Sequence, residues 1–172
     1  MKAFCPAFAI AAFLALAPVS HAQLSSDGGP IEITAERGEL DDVKRMAKYV
    51  GNVDIIQGDA RLRAESVTIH YRAREDEAAT GGLGGAIGGL DKIIAERNVY
   101  YITSKEKVKA DHGVYNAESG DITLTGNVKV TNVDGVIVGE TLVIQVETGR
   151  YVMDGGEGRV RTVIENTNDK IQ

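Results

Sequence analysis

The nine-residue stretch Ile122-Thr-Leu-Thr-Gly-Asn-Val-Lys-Val130 alternates between apolar and polar side chains. Its apolar residues Ile122, Leu124, Val128 and Val130 share one parity, and its polar residues share the other. Because successive side chains of a β-strand point to opposite faces, this alternation over nine residues predicts a strand with one buried face. Val, Ile and Thr suit such a pleated surface and dominate the stretch.

The same stretch contains one of three Asn-Val pairs, which indicate an internal repeat. Twelve residues after each Asn comes a small residue followed by an acid, and one more small-acid pair lies upstream. The Asn-Val pairs begin at Asn52, Asn98 and Asn127, and the small-acid pairs are Ala35-Glu36, Ala64-Glu65, Ala110-Asp111 and Gly139-Glu140. The first and last intervals between small-acid pairs are equal, and the middle one is longer. Stacked units of about 29 residues with one inserted loop are therefore predicted.

Each unit is expected to contain two antiparallel strands with a kink. The apolar parity of Ile137 and Gly139 continues at Leu142 only if one residue is skipped, and the same shift follows Ala64. An extra residue at a fixed place in every unit predicts a β-bulge or a corner at the small-acid pair. Since no sustained helical period follows residue 22, the predicted fold class is all-β.

The inserted loop accounts for the long interval. It spans Arg74–Leu90, which equals the excess length of that interval, and includes Gly81–Gly89, with six glycines in nine residues. Such composition is typical of a flexible linker, and no Gly-Lys-Ser/Thr follows that would suggest a phosphate-binding loop. The predicted domain is residues 23–164, and residues 165–172 are expected to form a flexible polar tail.

The N-terminus has the features of a signal peptide over residues 1–22. Ala7–Ala17 is an apolar run of eleven residues, and Ser20-His21-Ala22 places small residues before a cut. A membrane anchor is the alternative, but eleven residues fall short of the roughly 20 that span a bilayer. Export to the periplasm is therefore predicted. Cleavage removes Cys5, the only cysteine, so neither a disulfide nor a cysteine metal site is expected.

Charge and residue inventory exclude several classes of function. The formal net charge is −6, and cleavage also removes Lys2, which argues against nucleic-acid binding. No His-Glu-x-x-His or Gly-x-Ser-x-Gly occurs, and only His70 and His112 remain after export. Ser104–Lys107 matches Ser-x-x-Lys but is expected to be a turn between strands. No catalytic residue, metal site or cofactor is predicted.

The recurring acids and the apolar face remain as candidate functional features. One repeat position is always acidic, and its residues are Glu65, Asp111 and Glu140. These acids are either bonded or exposed corner residues or, alternatively, a cation site. The apolar positions either form a closed core or line a slot for alkyl chains, and the pattern does not separate these interpretations. The members taken as candidate lipid contacts are Val53, Ile55, Leu124, Val128 and Ile144.

Several short motifs resemble the OstA-like family of lipopolysaccharide-transport proteins, most closely its LptA type. They are Pro30-Ile31-Glu-Ile33-Thr-Ala-Glu36, the Gly-Asn-Val turns at Gly51 and Gly126, and Gly158–Ile164. The resemblance covers about residues 30–164. It departs at the glycine-rich insertion and at Arg97, which replaces the glycine of the middle Gly-Asn-Val.

This resemblance implies an open, twisted β-jelly roll with a slot that binds lipid A. It implies no cofactor, and as partners an inner-membrane export complex, an outer-membrane translocon and further copies stacked head to tail. The implied lipid-lining positions are Ile31, Ile33, Tyr101, Tyr115 and Ala117. Alternatives are a membrane-anchored or purely structural module of the same fold and, more remotely, a β-helical polysaccharide-acting enzyme, which would need paired carboxylates.

Overall fold

The computed structural model describes Leu24, residues 29–72 and residues 89–165, and within these parts its strands are joined by turns and short irregular stretches, with no helix. The predicted signal peptide, most of the glycine-rich loop and nearly all of the predicted tail lie outside the described residues. The strands are β1 (Glu32–Thr34), β2 (Arg37–Asp41), β3 (Met46–Gln57), β4 (Ala60–Tyr71), β5 (Leu90–Ile102), β6 (Glu106–Asn116), β7 (Asp121–Asn132), β8 (Gly135–Gln145), β9 (Arg150–Asp154) and β10 (Arg161–Ile164). The predicted all-β fold class is confirmed.

All ten strands belong to one antiparallel sheet. The long strands β3 to β8 pair with their sequence neighbours, as expected for hairpins joined by short turns. At each end of this series, two short strands share one long strand. β1 and β2 both pair with β3, while β9 and β10 both pair with β8.

A row of bulges divides each long strand into two halves. In β7, Gly126 and Asn127 both face the single residue Glu140 of β8, because Thr125 pairs with Thr141 and Val128 with Gly139. The same shift occurs in β3 between Val50 and Val53 and in β5 between Glu96 and Val99. One set of halves pairs with β1 and β10 and is named the β1/β10 half; the other pairs with β2 and β9 and is named the β2/β9 half.

Apolar residues of both halves form one core. Ile55 and Val108 of the β1/β10 half belong to the same buried cluster as Ile93 and Leu142 of the β2/β9 half. A single sheet buries one shared face in this way only if it folds over on itself, and here it does so along the row of bulges. This is the predicted β-jelly roll.

The bulges are confirmed, but the extra residue lies on the strand next to the predicted one. It belongs to the strand that contains the Gly-Asn or Arg-Asn dipeptide. The two residues of this dipeptide lie opposite the single acid of a small-acid pair on the next strand. The Gly-Asn-Val segments are therefore bulges inside strands and not turns between them. Across the bend, Ser66 and Val67 are both buried, which explains the observed change of parity in β4.

The hairpins fix the end of the inserted loop and the position of the Ser104 turn. Leu90, the last residue assigned to the inserted loop, is the first residue of β5 and pairs with Tyr71 of β4. The loop therefore joins two directly paired residues and interrupts no strand. Ser104 lies in the short connection between β5 and β6, as predicted, where the Thr103 amide donates to the Glu106 carbonyl at 2.9 Å.

Candidate functional site

The interior between the two halves contains most of the candidate lipid contacts. Each of these side chains is at most 5 % exposed and belongs to the shared core. They are Val53, Ile55, Tyr101, Tyr115, Leu124, Val128 and Ile144. They come from both halves, so the fold brings together residues that are far apart in the sequence.

The remaining candidates lie toward the edges of the sheet. Ile31 is 36 % exposed and precedes β1, whereas Ile33 is half-buried on β1 and packs against the core. Ala117 is also half-buried and packs against the core at the end of β6. Because Ile33 pairs with Ile55, the β1 edge is continuous with the interior.

The interior is apolar and closely packed where the structure describes it. One cavity of about 10 Å³ among these residues is lined by both halves, including Leu62, Tyr101, Tyr115 and Leu124. A space of this size holds about one water molecule. An alkyl chain therefore enters only if the halves move apart or a side chain is displaced.

Two residues that the sequence analysis did not single out lie beside these candidates. Leu24 is 3 % exposed and lines the cavity, although it precedes every strand. Gln57 is one of two buried polar residues in the described chain, and its side chain bonds to the backbone of Leu24 and Gly29. An isolated leucine outside the repeat carries no periodic signal, which is why pattern analysis overlooks it.

Tyr101 is the polar group at the cavity wall. Burial raises the pKa of its phenol to about 12, and the nearby carboxylates of Glu106 and Asp59 act in the same direction. The phenol is therefore protonated at neutral pH and donates a 3.1 Å hydrogen bond to the Leu24 carbonyl. Burial, followed by a hydrogen bond with Glu106, also raises the pKa of Tyr151.

Asparagine–acid pairs fasten the row of bulges. The Asn52 side-chain amide donates to Glu36, that of Asn98 to Glu65, and that of Asn127 to Asp111 at 2.7 Å. Their sequence separations are 16, 33 and 16, and the longer one exceeds the others by the length of the predicted insertion, which confirms the repeat.

Glu65 and Asp111 are therefore bonded corner residues and Glu140 is an exposed one, which is the first of the two interpretations offered by the sequence. The Arg97 guanidinium, followed by the Asn98 amide, lowers the pKa of Glu65. Glu140 lies beside Gly156, so the fourth site has a glycine where the others have asparagine. Within the described ranges, no group of three or more His, Cys, Asp or Glu is arranged to hold a metal ion.

The chain matches a known protein family over most of its strands. The family described as the LptA/(LptD N-terminal domain) LPS transport protein matches residues 32–150. The chain belongs to this family. Its fold accordingly corresponds to the LptA-like jelly roll, as the OstA-like motifs implied, and the family is one of transport proteins rather than enzymes.

Two further comparisons describe proteins that the chain is similar to. An uncharacterized protein of Rhizobium meliloti (strain 1021) is 29 % identical over 150 residues, covering 86 % of this chain and 77 % of the relative. The crystal structure of LptH, the LptA-homologous periplasmic component of the lipopolysaccharide-transport device of Pseudomonas aeruginosa, aligns with a TM-score of 0.64. At 20 % identity it covers 80 % of this chain and 96 % of LptH, and it supports the fold. Among the described residues, no helix is long and apolar enough to cross a membrane.

Proposed function

We propose that this chain is a periplasmic carrier that holds the acyl chains of lipid A between the β1/β10 and β2/β9 halves. The observation that carries the proposal is one continuous apolar interior shared by two halves of a single folded sheet. Only Gln57 and Ser66 are buried polar residues in the described chain. Such an interior offers alkyl chains favourable transfer from water along its whole length.

The proposed entry for lipid is the β1 side of the interior. Ile31 and Ile33 are partly exposed there, and Ile33 connects to the buried Ile55. Lipid that approaches this edge meets an apolar path from the surface to the core. The interior candidates then form the far wall of the slot, once the halves separate.

The proposed partners join at the ends of the sheet. β1 and β10 each have one paired neighbour, so each offers an edge to a further strand. Addition of a strand at these edges would extend the sheet toward an inner-membrane export complex on one side and an outer-membrane translocon on the other. A second copy of the chain would use the same edges.

The predicted signal peptide would direct the chain to the periplasm. Sequencing the mature N-terminus tests this, since an intact Met1 would favour the anchored alternative.

Photo-crosslinking tests the lipid site directly. A photoreactive residue at Tyr115, which is 3 % exposed, should crosslink to lipopolysaccharide in living cells. The matched control is the same residue at Val133, which is 87 % exposed in the β7–β8 turn and should not crosslink. Equal labelling at both positions, or none at Tyr115, would contradict an interior site.

A pair of charge substitutions separates lipid binding from folding. Ile33→Asp puts a carboxylate at a half-buried edge, so we expect a folded protein that binds lipopolysaccharide poorly. Ile144→Asp puts it at a position that is 2 % exposed, where an unpaired charge is costly, so we expect misfolding. Normal lipopolysaccharide binding by Ile33→Asp would place the slot elsewhere.

A further inference from the structure

Leu24 occupies the apolar interior although it belongs to no strand. Its side chain lines the cavity beside Tyr101, Tyr115 and Leu124. Its hydrogen-bond partners are remote in sequence, 33 and 77 residues away. The proposed lipid site is thus partly filled by Leu24 of the same chain.

Gln57 bonds to the backbone of Leu24 and Gly29 with both ends of its side-chain amide. Its Oε1 accepts from the Leu24 amide at 2.6 Å, and its Nε2 donates to the Gly29 carbonyl at 3.0 Å. A buried amide destabilises a fold unless its donor and acceptor are both satisfied. Here the Leu24 amide and the Gly29 carbonyl bond to them.

Tyr101 completes the set of contacts to Leu24. Its hydroxyl donates to the Leu24 carbonyl, so the backbone donor and acceptor of Leu24 both bond to side chains of the interior. Terminal segments without such contacts usually leave their backbone groups to water. Both backbone hydrogen-bonding groups of Leu24 are thus bonded, and its isobutyl group is buried. These are the contacts expected of a peptide residue in a specific binding site.

The geometry points to a peptide-binding site, formed by Gln57, Tyr101 and the cavity wall, whose tethered occupant at Leu24 must leave before an alkyl chain enters. This inference rests on the proposed lipid-carrying function. Leu24 and an alkyl chain would contact the same wall residues, Tyr115 and Leu124, so binding of one excludes the other. Since Leu24 precedes all ten strands, its release requires no change in strand pairing.

A tethered competitor lowers the apparent affinity for lipid in proportion to the fraction of molecules in which the site is open. Gln57→Ala removes the side chain that bonds to Leu24 and should raise the affinity for lipopolysaccharide about fivefold. Ser66→Ala changes the other buried polar residue and is the matched control, which should leave the affinity unchanged. Equal or weaker binding by a Gln57→Ala protein that unfolds at the normal denaturant concentration would overturn the inference.

Thiol labelling tests release of Leu24 separately. In a Cys5→Ser background, Leu24→Cys should react with a maleimide as slowly as a buried control, Val128→Cys, in the lipid-free protein. Addition of lipopolysaccharide should bring its rate toward that of the exposed control, Val133→Cys. Fast labelling without lipid would overturn the peptide site.

Co-purified lipopolysaccharide, quantified on the same samples, distinguishes the two proposals. Bound lipopolysaccharide on a Leu24→Cys protein whose thiol stays protected would overturn the competition while leaving the carrier function intact. Absence of lipopolysaccharide from every variant would overturn the carrier function, and with it the proposed exchange of lipid for Leu24.

Discussion

The Asn127 side-chain amide donates a 2.7 Å hydrogen bond to the Asp111 carboxylate, across the boundary where β7 bends against β6. Asn127 has a φ of 49°, in the left-handed region that asparagine tolerates better than most residues. The same residue therefore supplies both the backbone conformation of the bulge and its bond to the neighbouring strand. Asn52 and Asn98 repeat the arrangement with Glu36 and Glu65.

Two substitutions at Asn127 separate these contributions. Asn127→Gly loses the hydrogen bond but keeps a residue suited to positive φ, so we expect a loss of about 0.5 to 1 kcal/mol of unfolding free energy. Asn127→Ala loses the bond and strains the backbone, so we expect about 1 kcal/mol more. Denaturant unfolding measures both. Equal losses would show that the left-handed conformation is not a constraint.

The residue before each asparagine gives a second prediction. A Cβ at Gly126, where φ is 80°, would lie 2.8 Å from an Asp111 carboxylate oxygen. Gly126→Ala should therefore destabilise the protein by about 1 to 2 kcal/mol. Arg97 occupies the equivalent position at a φ of 62° and has a 2.9 Å ion pair with Glu65.

Arg97→Gly is the matched counterpart of that substitution. It relieves the backbone strain of a non-glycine residue and removes an exposed ion pair, two effects of about 1 kcal/mol or less that oppose each other. We expect a change in unfolding free energy within about 0.5 kcal/mol. A large loss would show that the ion pair contributes more than its exposure suggests.

These positions show how far the sequence predicts the molecule. The alternation around Leu124 and the fixed spacing of Asn52, Asn98 and Asn127 are enough to predict strands, units and bulges, because both depend on local geometry. Which strand carries the extra residue does not follow, since a shift of parity in one strand also results from a bulge in its neighbour. The positive φ at Arg97 shows that the repeat geometry persists without glycine.

The candidate site is predicted less completely. The apolar face gives Val53, Leu124 and Val128, because alternation separates buried from exposed positions, whereas Tyr101 and Tyr115 come from the family resemblance. The apolar face does not reveal that the cavity beside Tyr101 is so small, nor that Leu24 lines it. Such contacts depend on tertiary packing between residues up to 77 positions apart, which periodicity does not encode.

The buried phenol of Tyr101 predicts a loss of stability in alkali. Its pKa is about 12 in the folded protein, against 10.0 for an ordinary tyrosine, so folding favours the protonated form. This contribution is fully present below pH 10 and is lost as the pH rises from about 10 through 12. A raised pKa of this size corresponds to about 2 to 3 kcal/mol.

Tyr101→Phe tests this assignment. Its unfolding free energy should decline less steeply between pH 10 and 12 than that of the unsubstituted protein, because the buried phenol of Tyr101 is gone. Some decline should remain, since the pKa values of Tyr71 and Tyr151 are also raised. Denaturant unfolding at a series of pH values, with an ultraviolet titration of the phenols, measures it. Identical slopes for both proteins would place the buried ionisation on another tyrosine.

The two free edges of the β1/β10 half predict head-to-tail association. Near one edge Glu32 lies on β1, and at the other Arg161 lies on the fully exposed β10. Pairing of β1 with β10 of a second copy would satisfy both rows of backbone groups and bring opposite charges together. Because such a contact does not close on itself, we expect oligomers that grow with concentration, and their loss when Gly158–Gln172 is removed.

A charge exchange tests the same contact without removing a strand. Arg161→Glu should weaken self-association about three- to tenfold, and Glu32→Arg in the same chain should restore it. Arg150→Glu, on β9 of the other half, makes the same change of charge and should leave association unaltered. Sedimentation velocity over a range of concentrations measures all four proteins. A monomer at every concentration would refute self-stacking, whereas equal weakening by Arg150→Glu would show that net charge, rather than the β1 and β10 edges, controls association.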